Sequence, residues 1–164
     1  MDLGAAPGGW AKAARQLVED SGFVLAVDLK PIKSFEETNI HTLVGDVSEQ
    51  KTVSVIQELL PRSADVVVSD VAPNVSGIWE LDHARQIDLA TQSLRIATLI
   101  LRPKGNFFVK AFQGSTINKL VKEVKQNFGF VKMVKPKASR SKSAELYILG
   151  MGFRKNSNPK PRAS

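Results

Sequence analysis

The chain has 164 residues, no cysteine and two histidines, with 23 Lys and Arg against 16 Asp and Glu for a formal charge of +7. That length suits one domain with its own core, and 43% hydrophobic with 24% charged residues excludes a wholly disordered chain. The missing cysteines exclude a disulfide scaffold, a thiolate zinc site, an iron–sulfur cluster and a cysteine nucleophile. His41 and His83, far apart in sequence, do not suggest a histidine-built metal site. Charge is unevenly spread: residues 1–100 hold eight basic and 14 acidic side chains, and residues 101–164 hold 15 basic and two acidic. A balance of −6 followed by +13 suggests a polyanionic partner, nucleic acid or a membrane surface, though a charge run by itself reads better as a solvated surface with a basic tail. No run of 18 apolar residues and no signal-peptide pattern occurs, so the expectation is a soluble intracellular chain.

Strand-like and helix-like stretches alternate, the pattern of an α/β fold on a mostly parallel sheet. Met1–Leu3 leaves room only for the end of a strand. Gly9–Asp20 predicts a helix whose apolar face carries Trp10, Ala13, Ala14 and Leu17. Phe23–Asp28 reads as a buried strand, Leu43–Asp46 as a short one, and Val53–Leu60 as a helix stopped by Pro61. Val66-Val67-Val68 within Ala64–Asp70 is a β-branched run suited to a strand covered on both faces. Asp82–Leu101 is the longest helix, ended by Arg102-Pro103-Lys104-Gly105. A strand at Asn106–Phe112, a helix at Ser115–Phe128 and strands at Phe130–Lys135 and Leu146–Phe153 complete about seven strands and four helices. Only the loop Pro136–Glu145 separates the last two strands, so they should pair antiparallel. The chain divides into a domain over 1–153 and a basic, disordered tail over 154–164.

Asp2-Leu3-Gly4-Ala5-Ala6-Pro7-Gly8-Gly9-Trp10 lies between a strand and a helix, where doubly wound sheets bind nucleotide-like ligands. The glycines are not spaced G-x-G-x-x-G and no Gly-Lys-Ser/Thr follows, which disfavours a dinucleotide and a nucleoside triphosphate. A ligand with an amino-acid end and no phosphate fits better: Asp2 or backbone groups suit an ammonium, and the helix N-terminus a carboxylate. Asp28 ends the second strand, 20 residues after Gly8, where an acid takes ribose hydroxyls; Asp46 ends the third and suits an adenine amino group. Taken singly, each acid reads better as a turn residue or helix cap. Three at successive strand ends beside a Gly-rich turn point to an adenosine site, and S-adenosylmethionine is the ligand expected.

Three further residues stand where a parallel sheet places its active site. Asp70 ends an apolar strand in Ser69-Asp70-Val71-Ala72-Pro73-Asn74, and Lys110 is embedded in Phe108-Val109-Lys110-Ala111-Phe112. Glu145 precedes the last strand in Ser141-Lys142-Ser143-Ala144-Glu145-Leu146-Tyr147. A lysine in such company is either buried, at a cost unless paired, or on an edge strand with its amine reaching solvent. The apolar residues on both sides favour a central strand.

These stretches, over 2–10, 69–74, 108–114 and 139–147, run collinearly along nearly the whole chain, and in them the sequence closely resembles the FtsJ/RrmJ family of RNA ribose 2′-O-methyltransferases. The resemblance implies a Rossmann-like S-adenosylmethionine-dependent methyltransferase fold, a mostly parallel seven-stranded sheet with the last strand antiparallel and the first cut to a stub. It implies cofactor contacts from Gly8, Trp10, Asp28, Asp46 and Asp70 and a catalytic Lys110 with Glu145 as a further active-site acid. The full expected site adds Asp2, Gly4, Ala5, Ala6, Pro7 and Gly9 of the turn to the cofactor contacts and Asp70 to the catalytic group, and no metal is expected. Two roles stay open for Lys110: helping to remove the proton of a ribose 2′-hydroxyl, or orienting that hydroxyl while the acids orient the lysine. The family's first active-site lysine lies on a basic helix upstream of the Gly-rich motif, whereas this sequence opens in that motif. The expectation is a fragment or misplaced start, ahead of a diverged, inactive RNA-binding module.

Lys132, Lys135, Lys137, Arg140 and Lys142 cluster around the loop before Glu145 and suit RNA phosphates. Lys119, Lys122 and Lys125 share a helix face that is as readily plain solvated surface. The Gly-Gly-Trp subgroup implies a uridine of large-subunit rRNA as target, with tRNA and cap-adjacent mRNA as the substrates of other relatives. The chain is expected to act as a monomer without membrane contact, in the cytoplasm, or in a mitochondrion or nucleolus if eukaryotic.

Overall fold

The computed structural model describes residues 1–33, 35–136 and 143–155. Its elements run β1 (Asp2–Leu3), α1 (Gly9–Val18), β2 (Val24–Asp28), β3 (Ile40–Val44), α2 (Gln50–Leu59), β4 (Ala64–Ser69), α3 (Trp79–Ile100), β5 (Leu101–Phe112), α4 (Ile117–Asn127), β6 (Phe128–Val134) and β7 (Glu145–Phe153). The strands form one sheet in the order β3-β2-β1-β4-β5-β7-β6. Neighbours from β3 across to β5 pair in parallel, and β7 runs antiparallel to both β5 and β6. This is the Rossmann-like methyltransferase arrangement. Though two residues long, β1 sits centrally between β2 and β4, with Asp2 and Leu3 both buried.

The main core lies between the sheet and α2, α3 and α4. Val53, Ile56, Leu94, Ala97, Leu120 and Val124 join Val67, Phe107, Val109 and Ile148 in one cluster. α3 buries a stripe through His83, Gln86, Ile87, Ala90, Ser93, Leu94, Ala97 and Ile100, the three- and four-residue spacing of a helix lying on a sheet. A smaller cluster of Ala5, Ala11, Val24, Ala26 and Ile40 holds α1 on the opposite face; on β2 the two sets alternate, as strand geometry requires.

Burial departs from the sequence pattern on α1 and β4. On α1 only Ala11 is buried, whereas Trp10 is 39% and Leu17 85% exposed. The helix rests on small side chains, Ala11 and Ala14 against Val24 and Ala26, and that close seat leaves Trp10 and Leu17 outside it. β4 is covered on one face only: Val67 is fully buried and Val66 is 42% exposed. The α2, α3 and α4 crossovers share the Val67 side and α1 sits over β2 and β3 on the other. Among the described residues, no helix therefore covers the face bearing Val66.

Boundaries also move: α2 begins at Gln50, α4 at Ile117 and β6 at Phe128, and three further shifts have a local cause. β3 begins at Ile40, earlier than expected, because the exposed polar pair His41 and Thr42 masks the start of an edge strand. α3 begins at Trp79, with the Asp82 carboxylate turned back to accept the N–H groups of Ser76 and Gly77. Residues 102–105 do not stand between helix and strand but are carried in β5 as an irregularity, with Ala64 opposite Leu101 and Val66 opposite Asn106 and Lys104 at φ 64.

One glycine fixes where the functional edge forms. Gly4 adopts φ +76, and a Cβ there would lie 2.6 Å from Val71 N and 2.8 Å from Val71 Cα. The bare backbone lets the β1–α1 turn press against the chain leaving β4. Gly4→Ala should lower stability by about 2 kcal/mol or more, through the positive φ and the backbone overlap, as read by denaturant unfolding.

Candidate active site

The C-terminal edge of a parallel sheet is where loops diverge and a cleft opens, and here the turn after β1 forms one wall. The N–H groups of Gly4 and Ala5 both donate to Val27 O, at 2.8 and 3.1 Å, binding the turn to the end of β2. Asp28 continues that join: its Oδ2 accepts from Ala6 N at 3.0 Å and its Oδ1 from Lys30 N at 2.8 Å. Asp46, at the end of β3, accepts from Ser48 N at 2.8 Å and from the Ser48 hydroxyl at 2.7 Å, bonds that hold its carboxyl below the usual range. Gly4, Ala6, Asp28, Asp46, Asp70 and Asn74 contribute to the lining of a cleft of about 560 Å³, with Arg85 and Asp88 of α3 across from the turn.

Beside this cleft lies a second polar group set. Lys110 is 7% exposed on β5. Its Nζ lies 3.1 Å from Asp70 Oδ1 and donates to Asp70 O at 3.0 Å. Tyr147 faces Lys110 across the β5–β7 ladder, and its hydroxyl donates to the same Oδ1 at 3.0 Å. Burial, with Asp70 beside it, pushes the Tyr147 phenol upward, so it remains a protonated donor. The Gln86 amide donates to Val71 O at 3.1 Å and Lys110 O at 3.0 Å, tying the backbone of the β4 loop to that of β5. Asp70 is common to both groups: it lines the cleft and pairs with the lysine.

Residues 1–153 match the FtsJ-like methyltransferase family. The chain belongs to that family. It is 47% identical over 156 residues to the ribosomal RNA large subunit methyltransferase E of Methanocaldococcus jannaschii, a match covering 93% of this chain and 64% of that relative. The chain thus spans less than two thirds of the relative's length. Among solved structures, a ribosomal RNA methyltransferase from Plasmodium falciparum superposes with a TM-score of 0.81 at 22% identity, over 93% of this chain and 84% of that one. Human methyltransferase-like protein 13 in complex with SAH superposes at 0.63 and 12% identity, over 98% of this chain and 74% of that one. Both similarities bear on the fold, which they share with this FtsJ-like chain.

The family's motif residues do not all meet. Gly4, Ala6, Asp28, Asp46 and Asp70 share the cleft, and Lys110 reaches it through Asp70. Ala5 is buried in the α1 cluster, and Gly8 and Gly9 open α1 after Pro7. Trp10 turns away from the cleft lining toward the lysine's flank, with its ring 5.8 Å from Phe108 and 5.9 Å from Tyr147. Glu145 is the exposed first residue of β7, opposite Phe112; among the described residues the ion pair of Lys110 is with Asp70. Lys132, Lys135, Lys119, Lys122 and Lys125 are exposed, and Lys137, Arg140 and Lys142 lie outside the described residues, as does most of the expected tail. Tyr147 and Gln86 carry no expectation from sequence. Tyr147 was within reach of one, since it stands two residues after Glu145 and so on the same face of its strand.

Asp2 is 1% exposed, and neither of its carboxylate oxygens has a hydrogen-bond partner. Burial pushes its pKa up to about 6; the N-terminal ammonium opposes that shift, Asp70 and Asp28 add to it, and the nearby Ala11 N–H lowers it slightly without a formed bond. The unfolded value is about 3.9, so the folded chain holds the extra proton between roughly pH 4 and 6 and loses stability as pH rises through that window. Between pH 4 and pH 7, the unfolding free energy of Asp2→Asn relative to the parent should shift by about 2 kcal/mol in the variant's favour.

Proposed function

We propose that this chain methylates a ribose 2′-hydroxyl in RNA with S-adenosylmethionine as donor, and that the target is a uridine of large-subunit ribosomal RNA. The observation that carries the reading is the buried Lys110 amine, held by Asp70 at the rim of a cleft that Asp70 itself lines. The name of the M. jannaschii relative supports ribosomal RNA as the substrate class. The reading includes a monomer acting in the cytoplasm; no helix among the described residues is long and apolar enough to cross a membrane.

The residues present fit the cofactor. The two unpartnered oxygens of Asp2 call for a cation, and the amino-acid end of S-adenosylmethionine carries one. Asp28 has spent one lone pair of each oxygen on backbone N–H groups, and a carboxylate has about four acceptor sites, which leaves capacity for two ribose hydroxyls. Asp46 stands at the next strand end, where an adenine amino group finds an acceptor. When bound, the cofactor supplies an electrophilic methyl group.

The chain's own part is then mostly positioning. An ammonium has three N–H donors; Lys110 gives one to the Asp70 carbonyl and is ion-paired with its carboxylate at 3.1 Å, which leaves a donor for the oxygen of the ribose hydroxyl. This supports an orienting lysine over one that removes the proton. Asp70 Oδ1 is taken by Lys110 and Tyr147, which leaves Oδ2 as the acceptor for the hydroxyl proton. Phe108 and Tyr147 stack beside this group and Trp10 is tilted against both; the three rings thin the water around the charges, which strengthens their interaction. Phosphate contacts from Lys132 and Lys135 would add affinity without choosing the nucleotide.

Methyl transfer to stripped ribosomal RNA, with the product mapped by nuclease resistance, tests the reading; no transfer by a chain that binds both cofactor and RNA overturns it in favour of an inactive RNA-binding module. In a form active in that assay, Lys110→Ala should lower turnover by roughly a hundredfold or more and leave cofactor affinity, read by calorimetry, unchanged. Asp28→Ala should do the reverse at saturating cofactor, weakening cofactor binding by about tenfold or more with turnover largely kept.

A further inference from the structure

The loop from β4 to α3 ends in side chains that its own fold leaves uncovered: Val75 is 74% exposed, Ile78 63%, Trp79 46% and Leu81 39%. Large exposed apolar side chains gathered in one short segment mark a contact site more often than an accident of packing. The loop is also held in place. Asp82 accepts from Ser76 N at 2.8 Å, the Ser76 hydroxyl at 2.7 Å and Gly77 N at 3.1 Å, and Ile78 N donates to Ser76 Oγ at 3.2 Å.

Trp79 is fixed by stacking. Its ring lies 5.8 Å from His83 and 6.0 Å from Phe112, with planes within 20° in both cases. His83 is itself buried and 2.9 Å from the Thr116 hydroxyl, so the stack is anchored in the β5–α4 connection. Phe112 follows Lys110 by two residues on β5, on the same face of the strand and about 7 Å farther along, and it stands opposite Glu145. The aromatic rim and the lysine thus belong to one edge of the sheet.

We propose that Trp79, with Val75 and Ile78, is a stacking platform for an unpaired nucleobase of the RNA next to the ribose that Lys110 addresses. The proposal rests on the RNA-methylation reading above. Rigid, half-exposed aromatic rings are how proteins hold splayed single-stranded bases, and a ring already immobilised loses little freedom on binding. The cations an RNA backbone needs lie along the same sheet edge, with exposed Lys132 and Lys135 on and just beyond β6, two strands from Phe112, while exposed Glu80 and Glu145 beside the ring leave Trp79 to meet an uncharged base rather than a phosphate.

The test is binding of a fluorescein-labelled single-stranded oligouridylate, and of the same backbone made abasic, to the full chain with cofactor affinity measured in parallel. Trp79→Ala should weaken oligouridylate binding by about tenfold, Trp79→Phe should retain most of it, and both should bind cofactor as the parent does. The abasic strand should bind the parent and Trp79→Ala alike. Unchanged oligouridylate affinity in Trp79→Ala, while the parent binds RNA, overturns the platform and leaves the methylation reading standing. A parent that binds cofactor but neither strand overturns both. Loss of self-association in Trp79→Ala with RNA affinity unchanged assigns the patch to contact between copies and likewise overturns the proposal.

Discussion

A charged amine in the middle of an apolar strand is the constraint around which this chain is arranged. Lys110 has Phe108, Val109, Ala111 and Phe112 as sequence neighbours, and an unpaired ammonium there would carry a large desolvation cost. Asp70 meets that cost from the end of β4 with both its carboxylate and its carbonyl. Tyr147 supports the same carboxylate from β7, and Gln86 of α3 fixes the backbone on either side. Four elements distant in sequence are thereby locked in register around one nitrogen. Breaking the pair from one side leaves a partly buried charge, so this geometry is held by stability as well as by function.

The same edge of the sheet divides into two chemical halves. On the β1–β2–β3 side, acids end successive strands and the turn after β1 is pulled onto Val27 and Asp28 by three backbone donors. The glycine that permits this serves a contact within the chain, between Gly4 and Val71, rather than the close approach of a phosphate. On the β5–β7–β6 side, aromatic rings surround the lysine and basic side chains follow. The formal charge of +7 therefore joins an acidic cofactor half to a basic half suited to a polyanion, and Asp70 stands at their boundary.

Much of the fold was legible in the chain. The alternation of elements, the antiparallel last pair and the central place of Lys110 all follow from local pattern, because strand and helix periods and the length of a connection are local properties. What failed were the inferences that needed to know which face a neighbour covers. Trp10 and Leu17 have the spacing of a helix core, yet α1 is seated on alanines and leaves them out. Val66 belongs to a run apolar enough for two-sided burial, but every crossover from β3 onward lies on one side of the sheet.

By itself, then, the sequence determined the order of elements, the acids at the strand ends and the presence of a lysine that must be paired, since these depend on residue type and spacing alone. Only the tertiary structure decided the partner: Asp70 rather than Glu145 holds Lys110, and Tyr147 joins them. Pairing is set by strand order and register, which place β4 and β7 on either side of β5, and no local pattern in the chain encodes which strand becomes whose neighbour.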